Sequence, residues 1–186
     1  MMIDHKMRFF TADTHFNHYL LAMVRGFDTV EGQDECLISI WNTYVQKGDE
    51  VYHLGDFCFG THKAVRSIRA KLHGKIHLIL GNHDRTNRLH NMSETFTTIH
   101  DLWEIKIGNK PVVLCHYAMR VWSKSHYNSW QLYGHSHGSI IPIGKQYDVG
   151  LDNNRFTLLT EQDIINVMDK RENNLNYIHN YIGAGL

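Results

Sequence analysis

Seven side chains able to ligate a metal stand in five short stretches: Asp13-Thr14-His15, Gly55-Asp56, Gly81-Asn82-His83-Asp84, Cys115-His116 and Gly134-His135-Ser136-His137-Gly138. Asp13, His15, Asp56, Asn82, His116, His135 and His137 offer carboxylate, imidazole or amide oxygen, and none offers thiolate. Such a mixed nitrogen and oxygen set suits Mn, Fe, Zn or Ni. It is too rich in imidazole for Ca or Mg. Seven ligands are too many for one ion and about right for two, provided one carboxylate bridges. The imidazoles of His135 and His137, just past the end of a strand, are expected to point to opposite sides of the local backbone. His135 and His137 can therefore serve different ions.

The elements that must position these residues follow from apolar spacing. Residues 8–12, 50–54 and 75–80 read as buried strands, each ending at one of the ligand stretches. Helical spacing lies between them, over 34–46 and 61–72. Strand, helix, strand, helix, strand implies a parallel sheet with right-handed crossovers. Ligand sites of open α/β sheets lie at the C-terminal ends of such strands. The second half changes character. Short strands are expected at 96–99, 102–107, 111–114, 130–133, 139–141 and 146–149, with Gly108-Asn109-Lys110 as a hairpin connection. A polar and aromatic loop covers 117–129. A last helix starts near Thr160 and runs towards Asn176. With no linker or repeat, the chain reads as one domain over residues 1–186, built from two sheets packed face to face with helices outside.

Composition narrows the classes of function. With 19 Lys+Arg against 19 Asp+Glu, the formal net charge is zero. That argues against tight sequence-independent binding to duplex nucleic acid, though not against a small substrate or a local contact with a nucleic acid. The unusual count is 15 histidines. His5, His62, His90 and His179 read as surface residues; most others stand beside Asp, Asn or Gly after apolar runs, where metal or acid–base work is done. Cys36, Cys58 and Cys115 form no CxxC pair and read as small buried hydrophobes. The start of the chain has no apolar leader, and no stretch approaches a membrane span. A cytoplasmic protein is expected.

The five stretches taken together resemble the calcineurin-like metallophosphoesterases, whose motifs D-x-H, G-D, G-N-H-[DE], a lone H and G-H-x-H occur in that order. The likeness runs from Phe10 to about Asp152 and is nearest to the small, cap-less bacterial and phage members, with His18 after Asp-x-His-Phe and Trp122 after the lone His. It implies an α/β fold, a four-layer αββα sandwich of two mixed β-sheets flanked by helices. It also implies two divalent ions, Mn first, with Fe, Zn or Ni as alternatives. Asp13, His15, Asp56 and His137 would hold one, and Asp56, Asn82, His116 and His135 the other. One departure stands out: many members carry a further carboxylate in G-D-x-x-[DE], where this chain has Phe59.

The expected activity is metal-dependent phosphoric ester hydrolysis, on diesters rather than monoesters, through a hydroxide shared by the two ions. His83 is expected to assist the leaving oxygen, and Asp84 to hold the His83 ring. His18, Arg120 and Trp122 are expected to meet the substrate, a phosphate ester such as a nucleotide or short nucleic acid. Asp148 and Asp152 are expected to orient ligating imidazoles. The alternative is a catalytically inactive metal-binding scaffold of the same fold that binds protein partners.

Overall fold

The structure, a computed structural model, describes residues 6–178. The surface positions expected for His5 and His179, and the start of the chain where no leader is expected, lie outside the described residues. Among the described residues, nine strands form two mixed sheets flanked by helices. The first contains β1 (Arg8–Thr11), β2 (Glu50–His53), β3 (Lys75–Ile79), β4 (Thr98–His100) and β9 (Leu159–Thr160), in the order β4-β3-β2-β1-β9. All neighbours are parallel except β9 against β1. The second contains β5 (Leu102–Ile107), β6 (Lys110–Cys115), β7 (Trp130–Tyr133) and β8 (Gln146–Asp148). There β5 and β6 form the expected hairpin, while β6, β7 and β8 run parallel.

Alternation along each strand splits the core in two. Phe9, Val51, Ile76 and Leu78 face outward and pack with Leu37 and Trp41 of α2 (Val30–Tyr44) and Val65 and Ile68 of α3 (His62–Arg69). Phe10, Tyr52 and Ile79 face inward and meet Ile107, Val112, Leu114, Trp130 and Leu132 of the second sheet. The Phe10 and Tyr52 rings stack at 5.2 Å across adjacent strands, and Tyr52 continues onto His77 at 4.9 Å. Both Phe10 and Leu114 are fully buried, so truncating either to Ala costs about 3–5 kcal/mol. The helix α5 (Glu161–Asp169) closes the inner layer with Ile164 and Met168. Two short helices complete the fold, α1 (Tyr19–Val24) and α4 (Asn82–Thr86).

Several expected bounds shift. α2 starts at Val30, where Thr29 caps it by accepting the Gly32 N–H at 3.0 Å. No strand forms at 139–141: Gly138 takes a left-handed turn at φ 74°, Pro142 lacks a donor, and Ile141 is exposed. α5 ends at Asp169 instead of running towards Asn176. The chain leaves the helix so that buried Asn174 can donate to the Ser125 and Ser129 carbonyls, which leaves Leu175 exposed. Of the three cysteines, only Cys58 is fully buried. Burial raises its thiol pKa far above the usual range. Among the described residues, no helix is long and apolar enough to cross a membrane.

The parallel strands of both sheets deliver their C-terminal ends to one edge. There the sheets touch: Ala12 bridges Gly150, and the Leu151 N–H donates to the Ala12 carbonyl at 3.1 Å.

Candidate metal centre

All five ligand stretches converge on that edge. Ligand atoms of Asp13, His15 and His137 lie within 4.8 Å of one another, as do those of Asp56, His116 and His135. A third such group is His15, Asp56 and His83. Asp56 Oδ2 stands between them, 3.7 Å from His15 Nε2 and 3.5 Å from His116 Nε2. Asn82 joins the second cluster through its Oδ1, 3.2 Å from His116 Nε2. His135 and His137 thus fall into different clusters; extended chain would put residues two apart on one face, and the left-handed φ of both residues turns the rings apart.

The backbone is bent to achieve this. Asp13, His15, Asp56, His135 and His137 all have left-handed φ, between 47° and 68°. Non-glycine residues rarely adopt that region, and such strain gathers at functional sites. Two motif glycines are there for close approach. A Cβ on Gly81 would come within 2.2 Å of Asp56 Oδ1, and one on Gly134 within 2.6 Å of Asp13 Oδ2.

Several ligands are oriented from behind. The His116 Nδ1–H donates to the Leu54 carbonyl at 2.7 Å, and the His137 Nδ1–H to Asp152 Oδ2 at 2.5 Å. In each ring Nε2 is left for the site. Arg25 grips Asp152 with Nε and Nη2, both at 2.8 Å. The same guanidinium donates to the carbonyls of Asp13 and Thr14. Asp148 orients no imidazole. It accepts from the Ser136 hydroxyl and the Gly138 and Gly150 N–H groups, and so holds the His135–His137 turn.

The donor set carries a mark of a cation site. Asp13 Oδ1 and both ring nitrogens of His15 are buried with no hydrogen-bond partner. Buried polar atoms of this kind are costly unless something satisfies them, and a divalent ion fits. Burial pushes the Asp13 carboxyl up to about 7 against the pull of His116 and His137. It pushes His15 down to about 2. Burial also works to raise Asp56, yet His116, His15 and the His83 N–H together hold it down to about 2. A fixed anion ringed by imidazoles is the electrostatic pattern a shared cation needs.

Besides Asp148, sequence expectation and structure part at Asp84 and Trp122. Asp84 does not hold the His83 ring. It is fully buried, and its carboxylate accepts the N–H groups of Asp56 at 2.7 Å, Phe57 at 2.9 Å and Gly81 at 2.9 Å, which ties two ligand loops together. Trp122 does not overhang the site, because it is buried with Nε1–H donating to the Ser129 carbonyl at 3.2 Å. Arg120 is exposed and forms no ion pair or hydrogen bond among the described residues. His18 is the N-cap of α1: its Nδ1 accepts the Leu21 N–H at 3.0 Å. In the neutral ring this leaves the proton on Nε2.

Four residues beyond the motifs also shape the site: Arg25, His53, Phe59 and Tyr117. The Phe59 ring packs edge-on against His18 at 3.9 Å and tilted against His83 at 4.6 Å. Its signal in the sequence was the missing carboxylate at that position. Nothing local marks Arg25, whose partners lie up to 127 residues away.

The calcineurin-like phosphoesterase superfamily domain matches residues 9–147, and the chain belongs to that family. An uncharacterized protein of Methanocaldococcus jannaschii is 34% identical over 112 residues, covering 50% of this chain and 64% of that protein. The chain thus matches a little under two thirds of that relative's length. Among solved structures, a protein of unknown function from Aquifex aeolicus aligns with TM-score 0.68 and 22% identity, over 87% of this chain and 99% of that one. A Pseudomonas putida nuclease aligns with TM-score 0.50 and 21% identity, over 70% of this chain and 61% of that one. Both likenesses are of fold.

Proposed function

We propose that the chain is a dinuclear metal-dependent phosphodiesterase. One observation supports the reading: Asp56 Oδ2 lies 3.7 Å from His15 Nε2 in one ligand cluster and 3.5 Å from His116 Nε2 in the other, and the neighbouring buried atoms of Asp13 and His15 that lack partners are ones a cation would satisfy. Asp13, His15, Asp56 and His137 would hold one ion, and Asp56, Asn82, His116 and His135 the other. Two such cations, with Mn the first choice, supply an activated water and neutralise phosphoryl oxygens.

The chain's own groups do the rest. His83 is partly exposed, with its N–H on Asp56 Oδ1 at 3.0 Å and its Nε2 3.8 Å from Asp56 Oδ2. That ring sits at the site with access to solvent, where it holds a proton for the leaving oxygen. His18 offers its Nε2–H to a phosphate oxygen beside it, and exposed Arg120 offers a second donor. Asp84 and Asp152 position ligands. The nuclease likeness in fold makes a nucleotide ester or short nucleic acid a reasonable substrate class.

Hydrolysis of bis(p-nitrophenyl) phosphate and p-nitrophenyl phosphate, with metal content measured, tests the reading. Mn-dependent turnover with two ions per chain, faster on the diester, is expected. Two bound ions with no turnover under Mn, Fe, Ni or Zn would instead make the chain a metal-binding scaffold.

A further inference from the structure

A cavity of about 350 Å³ opens beside His135, with Tyr117 and Ala118 on one wall and Ser139 and Ile140 on the other. The Tyr117 ring meets His116 at 5.0 Å and His135 at 4.9 Å, edge-on in both cases. It therefore borders the cluster that these two imidazoles share with Asp56. Tyr117 is 41% exposed and Ile140 46% exposed, large apolar surfaces that nothing among the described residues covers.

Both walls are held in place. Buried Gln131 donates to the Tyr117 carbonyl at 2.8 Å and accepts the Met119 N–H at 3.0 Å, and Gln146 donates to the Met119 carbonyl. Opposite, Asp148 fixes Ser136 and Gly138, and the Ser139 N–H closes on the Ser136 carbonyl at 2.8 Å. Hydrogen-bonded backbone beside both an aromatic and an aliphatic lining residue describes a preformed slot. Its volume is that of a small organic group rather than a phosphate alone. Flat apolar faces with a polar edge are the recognition chemistry of a nucleobase. With Trp122 buried and Tyr127 outside the lining, Tyr117 is the tyrosine of this segment that borders the cavity.

We propose that this cavity is a specificity subsite which takes the nucleobase carried by one arm of the diester, with Tyr117 and Ile140 as its walls. The proposal rests on the phosphodiesterase reading above. Its test uses the Mn-loaded protein and two diesters that share a p-nitrophenolate leaving group, one with a methyl second arm and one with a thymidin-5′-yl second arm. The ratio of kcat/KM values is expected to favour the thymidinyl ester, and Tyr117→Ala is expected to lower that ratio about tenfold, the scale of one lost base stack. Ile140→Ala, which touches no ligand, is expected to lower it in the same direction. A ratio unchanged in both variants overturns the subsite. If the wild-type protein hydrolyses neither diester, the phosphodiesterase reading fails by itself and binding decides the subsite. Thymidine 5′-phosphate should then bind about tenfold more tightly than methyl phosphate, an advantage both variants reduce. Equal binding of the two phosphates by the wild-type protein overturns the proposal.

Discussion

The His53 Nε2 lies 2.9 Å from the Thr14 hydroxyl, which joins the end of β2 to the loop between Asp13 and His15. The protonation pattern can be worked out. The Gly55 N–H donates to His53 Nδ1 at 3.3 Å, so the proton is on Nε2 and goes to Thr14 Oγ1. Thr14 in turn donates to the Phe57 carbonyl at 2.8 Å. One neutral imidazole thereby registers the loop of Asp13 and His15 against the loop of Asp56.

His53 is fully buried, and burial pushes its pKa down to about 3 from an ordinary 6.5, against a smaller opposing pull from Asp56. The unfolded chain binds this proton more readily than the folded one between those values. Stability from His53 is therefore full above pH 6.5 and is lost progressively as pH falls towards 3. His53→Gln should cost about 1–3 kcal/mol at pH 7.5. Urea unfolding at pH 7.5 and pH 5 should show that deficit shrinking at the lower pH. A deficit independent of pH would mean that His53 is not the buried neutral group.

Asp84 fixes the second junction. Asn in its place keeps one carbonyl oxygen but turns an NH2 group towards main-chain donors, so at least one buried N–H loses its acceptor. Asp84→Asn should cost about 3 kcal/mol and lower Tm on the order of 10 °C. Metal analysis should show weakened loading at the Asp56 and Asn82 cluster. A Tm within a degree or two of wild type would contradict the three hydrogen bonds that Asp84 accepts.

His83 tests the chemistry apart from the scaffold. Its side chain is 38% exposed, so removing the ring leaves no large buried void. His83→Ala should retain both ions and the wild-type Tm, while kcat falls about 10²–10⁴-fold. Retained turnover would remove the proton-holding role; lost metal would mean the ring ligates.

What the sequence made legible, and what it did not, follows from the range of the interactions involved. Strands β1, β2 and β3 and the loops after them were readable because apolar runs stop abruptly at Asp13, Asp56 and Asn82. The division of His135 and His137 between clusters was expected on the wrong ground, since extended chain puts residues two apart on one face; the left-handed φ of both residues parts the rings. Asp84 was misread because its neighbour in sequence, His83, is not its partner in space; its acceptor bonds reach back to Asp56 and Phe57. Trp122 looked like a stacking residue in a polar loop, yet that loop folds inward on Ser129. Arg25 gave no signal, since its role depends on Asp152 arriving from the far end of the chain. The short α5 depends on Asn174 reaching Ser125, a contact that helical periodicity cannot express.

Arg25 and Asp152 give a prediction about one cluster alone. The guanidinium fork holds Asp152 and two carbonyls at once, and Asp152 sets the His137 ring. Lysine is a single point donor and cannot span these partners. Arg25→Lys and Asp152→Ala should each weaken the ion proposed for Asp13, His15 and His137 by about 10–100-fold. The ion held by Asn82, His116 and His135 should bind nearly as before. Isothermal titration should resolve two unequal sites where wild type shows more similar ones. Equal weakening of both would mean that Asp56 transmits the disturbance across the whole centre.

Metal removal probes the buried groups directly. Asp13 and Asp56 are 0% and 2% exposed, and Asp13 Oδ1 and the His15 ring lack protein partners. Taking away a cation leaves these atoms unsatisfied in a low dielectric. Binding to the folded chain alone stabilises it by about 2.7 kcal/mol per site at an ion concentration one hundred times Kd. Two sites saturated to that degree should raise Tm by on the order of 10 °C over the chelator-treated protein. Addition of excess Mn after removal of the chelator should restore the transition. An identical Tm with and without chelator, in protein shown to carry metal beforehand, would place the ions outside this cluster of carboxylates and imidazoles.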